Sequence, residues 1–176
     1  MSEETVIFNP WNKEAKLITK EEVHSILKEH DIPETITHLH LYQRAFIHKS
    51  YLKKCLQLAE QYQNEIEPKP DSCLDLQEHS YERLEYLGDA ILSATIASYL
   101  YERFPDADEG FLTRMRTKLV NGEMLGDLGQ KMELDKHVVI SHQLLEKNEF
   151  QVNYKIVEDL FEAFIGALYL DFNEEE

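Results

Sequence analysis

Two segments of this chain combine a nearly continuous apolar surface with acidic residues at helical spacing, and this combination constrains its fold more than any other feature. The first segment carries Glu82, Glu85 and Asp89, and the second carries Asp159 and Glu162. Residues three or four apart share one face of an α-helix, with Cβ atoms about 5–6 Å apart. Each acidic cluster is therefore predicted to form a polar ridge on a helix that is otherwise apolar.

The rest of the chain also favours helices. No segment sustains the alternation of apolar and polar residues that is typical of β-strands, and the chain contains only 6 Gly and 5 Pro. We predict an all-α fold with a central, largely buried helix at about 80–104 and a last helix from about 153 past 169. Residues 64–78, which include two prolines, are predicted to form an exposed loop. Other helices are expected at about 19–30, 37–49, 109–120 and 122–133.

Bulk properties limit the compartment and the partners. No run of eighteen apolar residues occurs, so no membrane span is predicted. The two cysteines, Cys55 and Cys73, do not have the spacing of a paired-cysteine metal site, and a reducing compartment, cytoplasm or nucleus, is expected. The net charge of −16 argues against a nucleic-acid partner. That argument is weak, because carboxylates that bind a metal contribute to the charge and the metal reverses its local sign.

Carboxylates on an apolar helix need a compensating charge, since burial of an isolated charge is costly. Mg²⁺ and Mn²⁺ prefer oxygen ligands, whereas zinc usually recruits Cys or His. The alternative is that these acids are solvated and favoured by the dipole near helix starts. For Glu82, this alternative is as good an explanation as metal binding. It fits Glu85 less well, and it fits Asp89 poorly because Asp89 lies beyond the first two turns of the predicted helix. Glu158 lies at a different angle around its helix and is predicted to lie on the plain surface.

At this point the sequence resembles the ribonuclease III family. The run Glu82–Ala90, ERLEYLGDA, matches the family's nine-residue signature, with Tyr86 where phenylalanine is usual. The resemblance spans about residues 35–172. Further matching stretches flank this signature and keep the family's order, with residues 45–51 upstream and residues 109–120 and 159–171 downstream.

The resemblance implies roles for individual residues. Four of them are expected to be catalytic and to bind Mg²⁺, with Mn²⁺ as a substitute: Glu85, Asp89, Asp159 and Glu162. Glu82 and Glu109 match accessory acidic positions, and Glu109 would reach toward the partner's site in a homodimer. Lys155 resembles a lysine near the site of Dicer-like members. A surface lysine paired with Asp159 is an equal alternative.

The resemblance also implies a domain plan. Residues 1–34 form an N-terminal arm and helix, and residues 35–176 form the endonuclease domain. This domain is expected to contain an insertion at about 56–77 and a truncated C-terminal helix. Within these 176 residues we expect no double-stranded-RNA-binding domain. We therefore expect an additional RNA-binding domain or subunit, and weak RNA affinity that depends strongly on salt.

The implied function is metal-dependent hydrolysis of double-stranded RNA by a homodimer, leaving 5′-phosphate and 3′-hydroxyl ends. The main alternative is a module that kept the fold, lost cleavage, and binds RNA or a partner in a larger assembly. A third interpretation is an acidic helical scaffold with no RNA role. The presence of all four expected ligands favours the enzyme. Outside the acidic clusters, Arg114, Arg116 and Lys118 would either contact RNA phosphates or form a solvated face.

Overall fold

The computed structural model describes residues 7–32, 35–146 and 153–173. Glu34, the last residue of the predicted N-terminal part, and both chain ends lie outside these ranges. The predicted all-α class is confirmed, and none of the described helices is long and apolar enough to cross a membrane. In chain order the elements are β1 (Ile7–Phe8), α1 (Lys20–Glu29), α2 (Leu39–Ala45), α3 (Lys54–Gln61), β2 (Glu65–Ile66), α4 (Glu82–Arg103), α5 (Glu109–Leu119), α6 (Gly122–Lys131), α7 (His142–Glu146) and α8 (Tyr154–Asn173).

Side chains at the starts of several helices satisfy backbone groups that the helix itself leaves unpaired. Thr19 and Glu22 form a capping box at the start of α1. The hydrogen bond from the Thr19 backbone is the main reason that the pKa of Glu22 falls to about 2. Asp108 and Asn121 cap α5 and α6 with single hydrogen bonds, which their side chains accept from the backbone N–H groups of Phe111 and Met124. Local sequence therefore explains where these three helices begin.

Helix α8 is the centre of the main core. It packs against α4, α6 and α2, and most of its apolar residues are buried. The crossing with α4 depends on two glycines. A Cβ added to Gly88 would lie 1.8 Å from the carbonyl oxygen of Glu162, and one added to Gly166 would lie 2.3 Å from that of Leu84. Only glycine allows this approach of the two backbones, and the approach brings both acidic clusters together.

The expectation that α4 is largely buried is wrong for the single chain. Among its residues only Leu84, Gly88 and Leu100 are buried. Tyr86 and Tyr101, which share a face of the helix, are 80% and 73% exposed. An apolar helical pattern predicts that a helix face is buried. It does not show whether the same chain or another chain buries that face.

A second core joins the N-terminal arm to the predicted insertion. β1 pairs in parallel with β2, and the Trp11 indole donates to the Glu67 carbonyl at 2.6 Å. Cys73 and Leu76 are buried, so the prediction that the whole of 64–78 is exposed is wrong. Both side chains belong to the same buried cluster as Trp11 of the N-terminal arm. The prolines of this segment predict a loop but do not predict its contact with a distant part of the chain. The members of this core are Trp11, Ile47, Tyr51, Leu52, Cys73, Leu76 and Val139.

Candidate metal centre

Three of the predicted site residues meet where α4 crosses α8. Carboxylate oxygens of Glu85, Asp159 and Glu162 lie within 4.8 Å of one another. Glu85 comes from the first turn of α4, while Asp159 and Glu162 are three residues apart on α8. The helical spacing of the acids and the glycine crossing together produce this cluster.

Glu162 is the most unusual of the three carboxylates. The residue is 6% exposed, and it makes no hydrogen bond or ion pair with any described residue. Burial, followed by the negative charges of Asp89 and Glu158, raises its pKa to about 7. Burial and the charge of Asp159 likewise raise the pKa of Glu85. Carboxyl groups crowded in this way favour a proton or a cation in their midst.

Asp159 is held from two sides. The hydroxyl group of Tyr81 donates to its Oδ2 at 3.2 Å. Its Oδ1 lies 2.9 Å from Lys155 Nζ but is buried and accepts no hydrogen bond in proper geometry from the described residues. Burial, followed by the charge of Asp159, raises the pKa of Tyr81, so the phenol stays protonated and remains a donor at neutral pH. Sequence reasoning misses Tyr81, whose only signal is its position directly before the signature.

Lys155 and Glu158 form a charged pair beside the cluster. Lys155 Nζ lies 3.2 Å from Glu158 Oε2 as well as 2.9 Å from Asp159 Oδ1. Burial lowers the pKa of Lys155, but contact with Asp159 and then with Glu158 outweighs it, and the net pKa is raised. The Glu158 side chain is 18% exposed, and its carboxylate approaches the start of α6, where a Cβ added to Gly122 would lie 2.7 Å from Oε2. The prediction that Glu158 lies on the plain surface is therefore wrong.

The other predicted site residues lie outside the group of three. Asp89 is exposed, although its charge acts on Glu162. Glu82 accepts from Ser80 Oγ at 3.0 Å and lies 3.6 Å from Lys49 Nζ. Glu109 accepts from Thr113 within α5. The roles of these three acids stay predictions.

The chemistry of the cluster fits a hard divalent cation. All three groups offer carboxylate oxygens, which Mg²⁺ and Mn²⁺ prefer. Asp159 Oδ1 is a buried oxygen that lies 2.9 Å from Lys155 Nζ without accepting a hydrogen bond in proper geometry, and the Glu162 carboxylate forms no ion pair with a described residue. A cation would compensate both, and the fourth predicted ligand, Asp89, is close enough to influence Glu162 electrostatically.

Comparison with known proteins identifies the family. The family model of the ribonuclease III domain matches residues 82–173, more than half of the chain and the part that contains both acidic clusters. The chain belongs to the ribonuclease III domain family. The expected family is thereby confirmed.

Individual relatives agree with this ribonuclease III assignment. A protein of Acanthamoeba polyphaga mimivirus named probable ribonuclease 3 is 36% identical over 167 residues, which cover 94% of this chain and 29% of that protein. Ribonuclease 3 of Zunongwangia profunda is 39% identical over 133 residues, covering 76% of this chain and 45% of that one. The chain thus spans less than half of the length of either relative.

A solved structure supports the ribonuclease III fold independently. The nuclease domain of ribonuclease III from Campylobacter jejuni aligns with a TM-score of 0.65 at 23% identity, covering 85% of each chain. At this identity the likeness concerns the fold alone. It shows that this chain has the same fold as that nuclease domain.

Proposed function

We propose that this chain is a metal-dependent endoribonuclease domain that hydrolyses the phosphodiester bonds of double-stranded RNA and leaves 5′-phosphate and 3′-hydroxyl ends. The observation that carries the proposal is the cluster of Glu85, Asp159 and Glu162 within 4.8 Å, in a chain of the ribonuclease III family. The relatives named ribonuclease 3 support RNA as the substrate.

The residues of the site take distinct roles in this proposal. Glu85, Asp159 and Glu162, together with Asp89, hold Mg²⁺ or Mn²⁺. Such an ion activates water, neutralises phosphate charge and stabilises the attacking and leaving oxygens of phosphodiester hydrolysis. Lys155 keeps its positive charge at neutral pH and is 62% exposed, so its ammonium group can contact a phosphate oxygen at the edge of the cluster.

The proposed enzyme acts as a homodimer. One face of α4 carries four exposed residues, Tyr86, Ala90, Ala94 and Tyr101. Another copy of the chain would bury this face. In the solved nuclease domain from Campylobacter jejuni, a region with structural flexibility is involved in dimer formation. Analytical ultracentrifugation should therefore show a dimer that an Ala94→Arg substitution converts to monomer. A wild-type chain that stays monomeric at high protein concentration would contradict this part.

RNA affinity is expected to be weak. The chain has a net charge of −16, and an exposed basic group on α5 consists of Arg114, Arg116 and Lys118. Recognition of double-stranded RNA depends mainly on shape and phosphate contacts, so little sequence preference is expected. Binding should weaken steeply as salt is added. Tight binding that salt does not affect would contradict this expectation.

The decisive experiment measures cleavage of a long RNA duplex in Mg²⁺ and in EDTA. The wild-type chain should cut only with the metal, and Glu162→Gln should lower the rate by at least about a hundredfold, as expected for loss of a metal-binding carboxylate. Glu102→Gln is the matched control, because Glu102 is exposed near the other end of α4. Its cleavage rate should equal that of the wild type.

Each contrary outcome selects a different alternative. Wild-type cleavage by Glu162→Gln would remove that residue from the site. Metal binding without cleavage of any RNA would favour the silent RNA-binding or interaction module. A melting temperature that does not respond to Mg²⁺ or Mn²⁺ would favour the acidic scaffold.

A further inference from the structure

Tyr81 connects the scaffold of the molecule to the acidic cluster. It lies directly before α4, is 3% exposed, and packs in the main core. Its hydroxyl group donates to Asp159 Oδ2 at 3.2 Å, across 78 residues of sequence. A buried tyrosine hydroxyl needs a polar partner, and here that partner is a carboxylate of the candidate metal centre.

The surroundings of Tyr81 restrict where its hydroxyl group can point. The Tyr81 backbone N–H donates to the Ile47 carbonyl at 2.9 Å. Its ring meets the edge of the buried His48 ring, with centroids 5.8 Å apart. His48 Nδ1 in turn accepts a hydrogen bond from the backbone N–H of Ser50 at 3.1 Å. Tyr81 is therefore fixed by contacts that do not involve Asp159.

Asp159 has little else to define the plane of its carboxylate. Lys155, its other partner, is a flexible and largely exposed side chain on the same helix. Tyr81 supplies the one rigid contact to Asp159 from outside α8 that the described residues show. Groups that hydrogen-bond to metal ligands set the orientation of those ligands and strongly affect metal affinity.

We propose that Tyr81 is a positioning residue that holds the Asp159 carboxylate in the orientation needed for metal binding. This inference rests on the proposed metal-dependent function. Tyr81 donates to Oδ2 and thereby fixes the plane of a carboxylate that offers an oxygen to the acidic cluster. The tyrosine hydroxyl group itself neither binds the metal nor reacts.

The alternative is that Tyr81 is a core residue whose hydroxyl group only satisfies its own hydrogen-bonding need. Tyr81→Phe separates the two roles, because it removes the hydroxyl group and keeps the ring in the core. The chain offers a matched control in Tyr42→Phe. The buried Tyr42 also donates to a carboxylate of α8, that of Asp171, at 2.9 Å and at the opposite end of the helix.

The test measures Mn²⁺ binding to the whole chain by isothermal titration calorimetry, without RNA. Tyr81→Phe should raise the dissociation constant by about 10–100-fold, the usual effect of removing a hydrogen bond to a metal ligand. Tyr42→Phe should leave it within about twofold of the wild type, because that site is distant. In cleavage assays, increasing Mg²⁺ should restore most of the kcat of Tyr81→Phe, a rescue that a purely structural defect would not show.

Three outcomes would overturn the inference. Wild-type Mn²⁺ affinity in Tyr81→Phe would show that the hydroxyl group does not position Asp159. An equal loss of affinity in both tyrosine variants would indicate general loosening of the core. A wild-type chain that binds no Mn²⁺ would remove the proposed function itself, and the inference with it, so the two failures are distinguishable.

Discussion

The buried carboxylates near the two ends of α8 have opposite surroundings. At the C-terminal end, the side chain of Asp171 is 1% exposed and accepts hydrogen bonds from the Tyr42 hydroxyl and from the backbone N–H groups of Thr37 and His38. Its Oδ1 also lies 3.1 Å from Nδ1 of the His38 ring. Asp171 therefore ties α2 to α8 and has its charge compensated by the protein.

At the N-terminal end, three carboxylates crowd one another, although Tyr81 and Lys155 contact Asp159. Glu85, Asp159 and Glu162 share a space in which Glu162 has no hydrogen-bond donor among the described residues. Glu162 and Asp171 are both buried on the same helix, so burial alone does not distinguish structure from function. The two sites differ in what compensates their negative charge. Hydrogen-bond donors of the protein stabilise the Asp171 carboxylate, whereas the cluster of Glu85, Asp159 and Glu162 needs a cation.

The largest effect on stability is expected for Asp171→Ala. Removing the buried acceptor that these donors share should lower the free energy of unfolding by about 3–5 kcal/mol, as when one partner of a buried charged network is removed. Urea denaturation at low temperature measures the change. Asp127→Ala, at an exposed position on α6, should change it by less than about 0.5 kcal/mol.

The same variant also tests the division between the two ends. Folded Asp171→Ala should bind Mn²⁺ as the wild type does, because Asp171 is not part of the acidic cluster. A loss of Mn²⁺ affinity as large as that of Asp159→Asn would show that the ends are not independent.

The next largest effect is expected for Gly88→Ala, which acts on the functional end through the backbone. The new Cβ would lie 1.8 Å from the Glu162 carbonyl oxygen, so α4 and α8 must separate. We expect a loss of about 3 kcal/mol in unfolding free energy and weaker Mn²⁺ binding, because overpacking is costly and the carboxylates move apart. The readouts are urea denaturation and calorimetric titration with Mn²⁺.

Gly110→Ala in α5 provides the control for this glycine. There a Cβ would lie 3.2 Å from the flexible end of Arg114, and alanine favours a helix by up to about 1 kcal/mol. Stability should therefore stay equal or increase slightly. If Gly88→Ala were tolerated as well as Gly110→Ala, the close helix crossing would not be what assembles the site.

The sequence is sufficient to predict α4, α8 and the position of their acids, because helical periodicity is a local property. Glu85, Asp159 and Glu162 come together as expected, since spacing of three and four residues fixes the face of a helix. The resemblance to the ribonuclease III family includes Asp171 in the matching stretch 159–171 but says nothing of its partners. Those partners lie more than 120 residues away along the chain.

Other features cannot be predicted because they depend on contacts between distant segments. The bond from Tyr81 to Asp159 and the second core around Trp11 both join parts of the chain that no local pattern connects. The prediction that Glu158 lies on the plain surface is wrong because it used only the angle of this residue around α8. The angle does not show the contact of Glu158 with Lys155. The exposure of α4 shows that an apolar pattern does not distinguish a core from an interface.

A smaller effect is expected in the pH dependence of stability, through Glu162. Its pKa is about 7 in the folded chain and near 4.5 when unfolded. Between these values the folded state retains the proton and the unfolded state loses it, so stability should fall as pH rises from about 4.5 to 7. The full decrease is roughly 3 kcal/mol, at about 1.4 kcal/mol per pKa unit.

Glu162→Gln removes this titration and thus tests it. In EDTA at pH 8 the variant should be more stable than the wild type by roughly 2–3 kcal/mol, and at pH 4 the two should be nearly equal. Urea denaturation at both pH values measures the difference, and Glu102→Gln should behave as the wild type. A Glu162→Gln variant that is less stable at pH 8 would mean that donors compensate this carboxylate as they do Asp171.

The smallest effect is expected for Glu158→Gln, because two contributions oppose each other. The variant loses the ion pair with Lys155, which contributes less than about 1 kcal/mol, but it also relieves repulsion of Glu162. Stability should therefore change little, while the pKa of Glu162 should fall, as followed by NMR of the side-chain carboxyl carbon. Glu123→Gln, exposed on α6, should leave that pKa unchanged. An unchanged pKa in Glu158→Gln would show that Lys155 already neutralises Glu158, and that Asp89 is the main source of the repulsion at this end of α8.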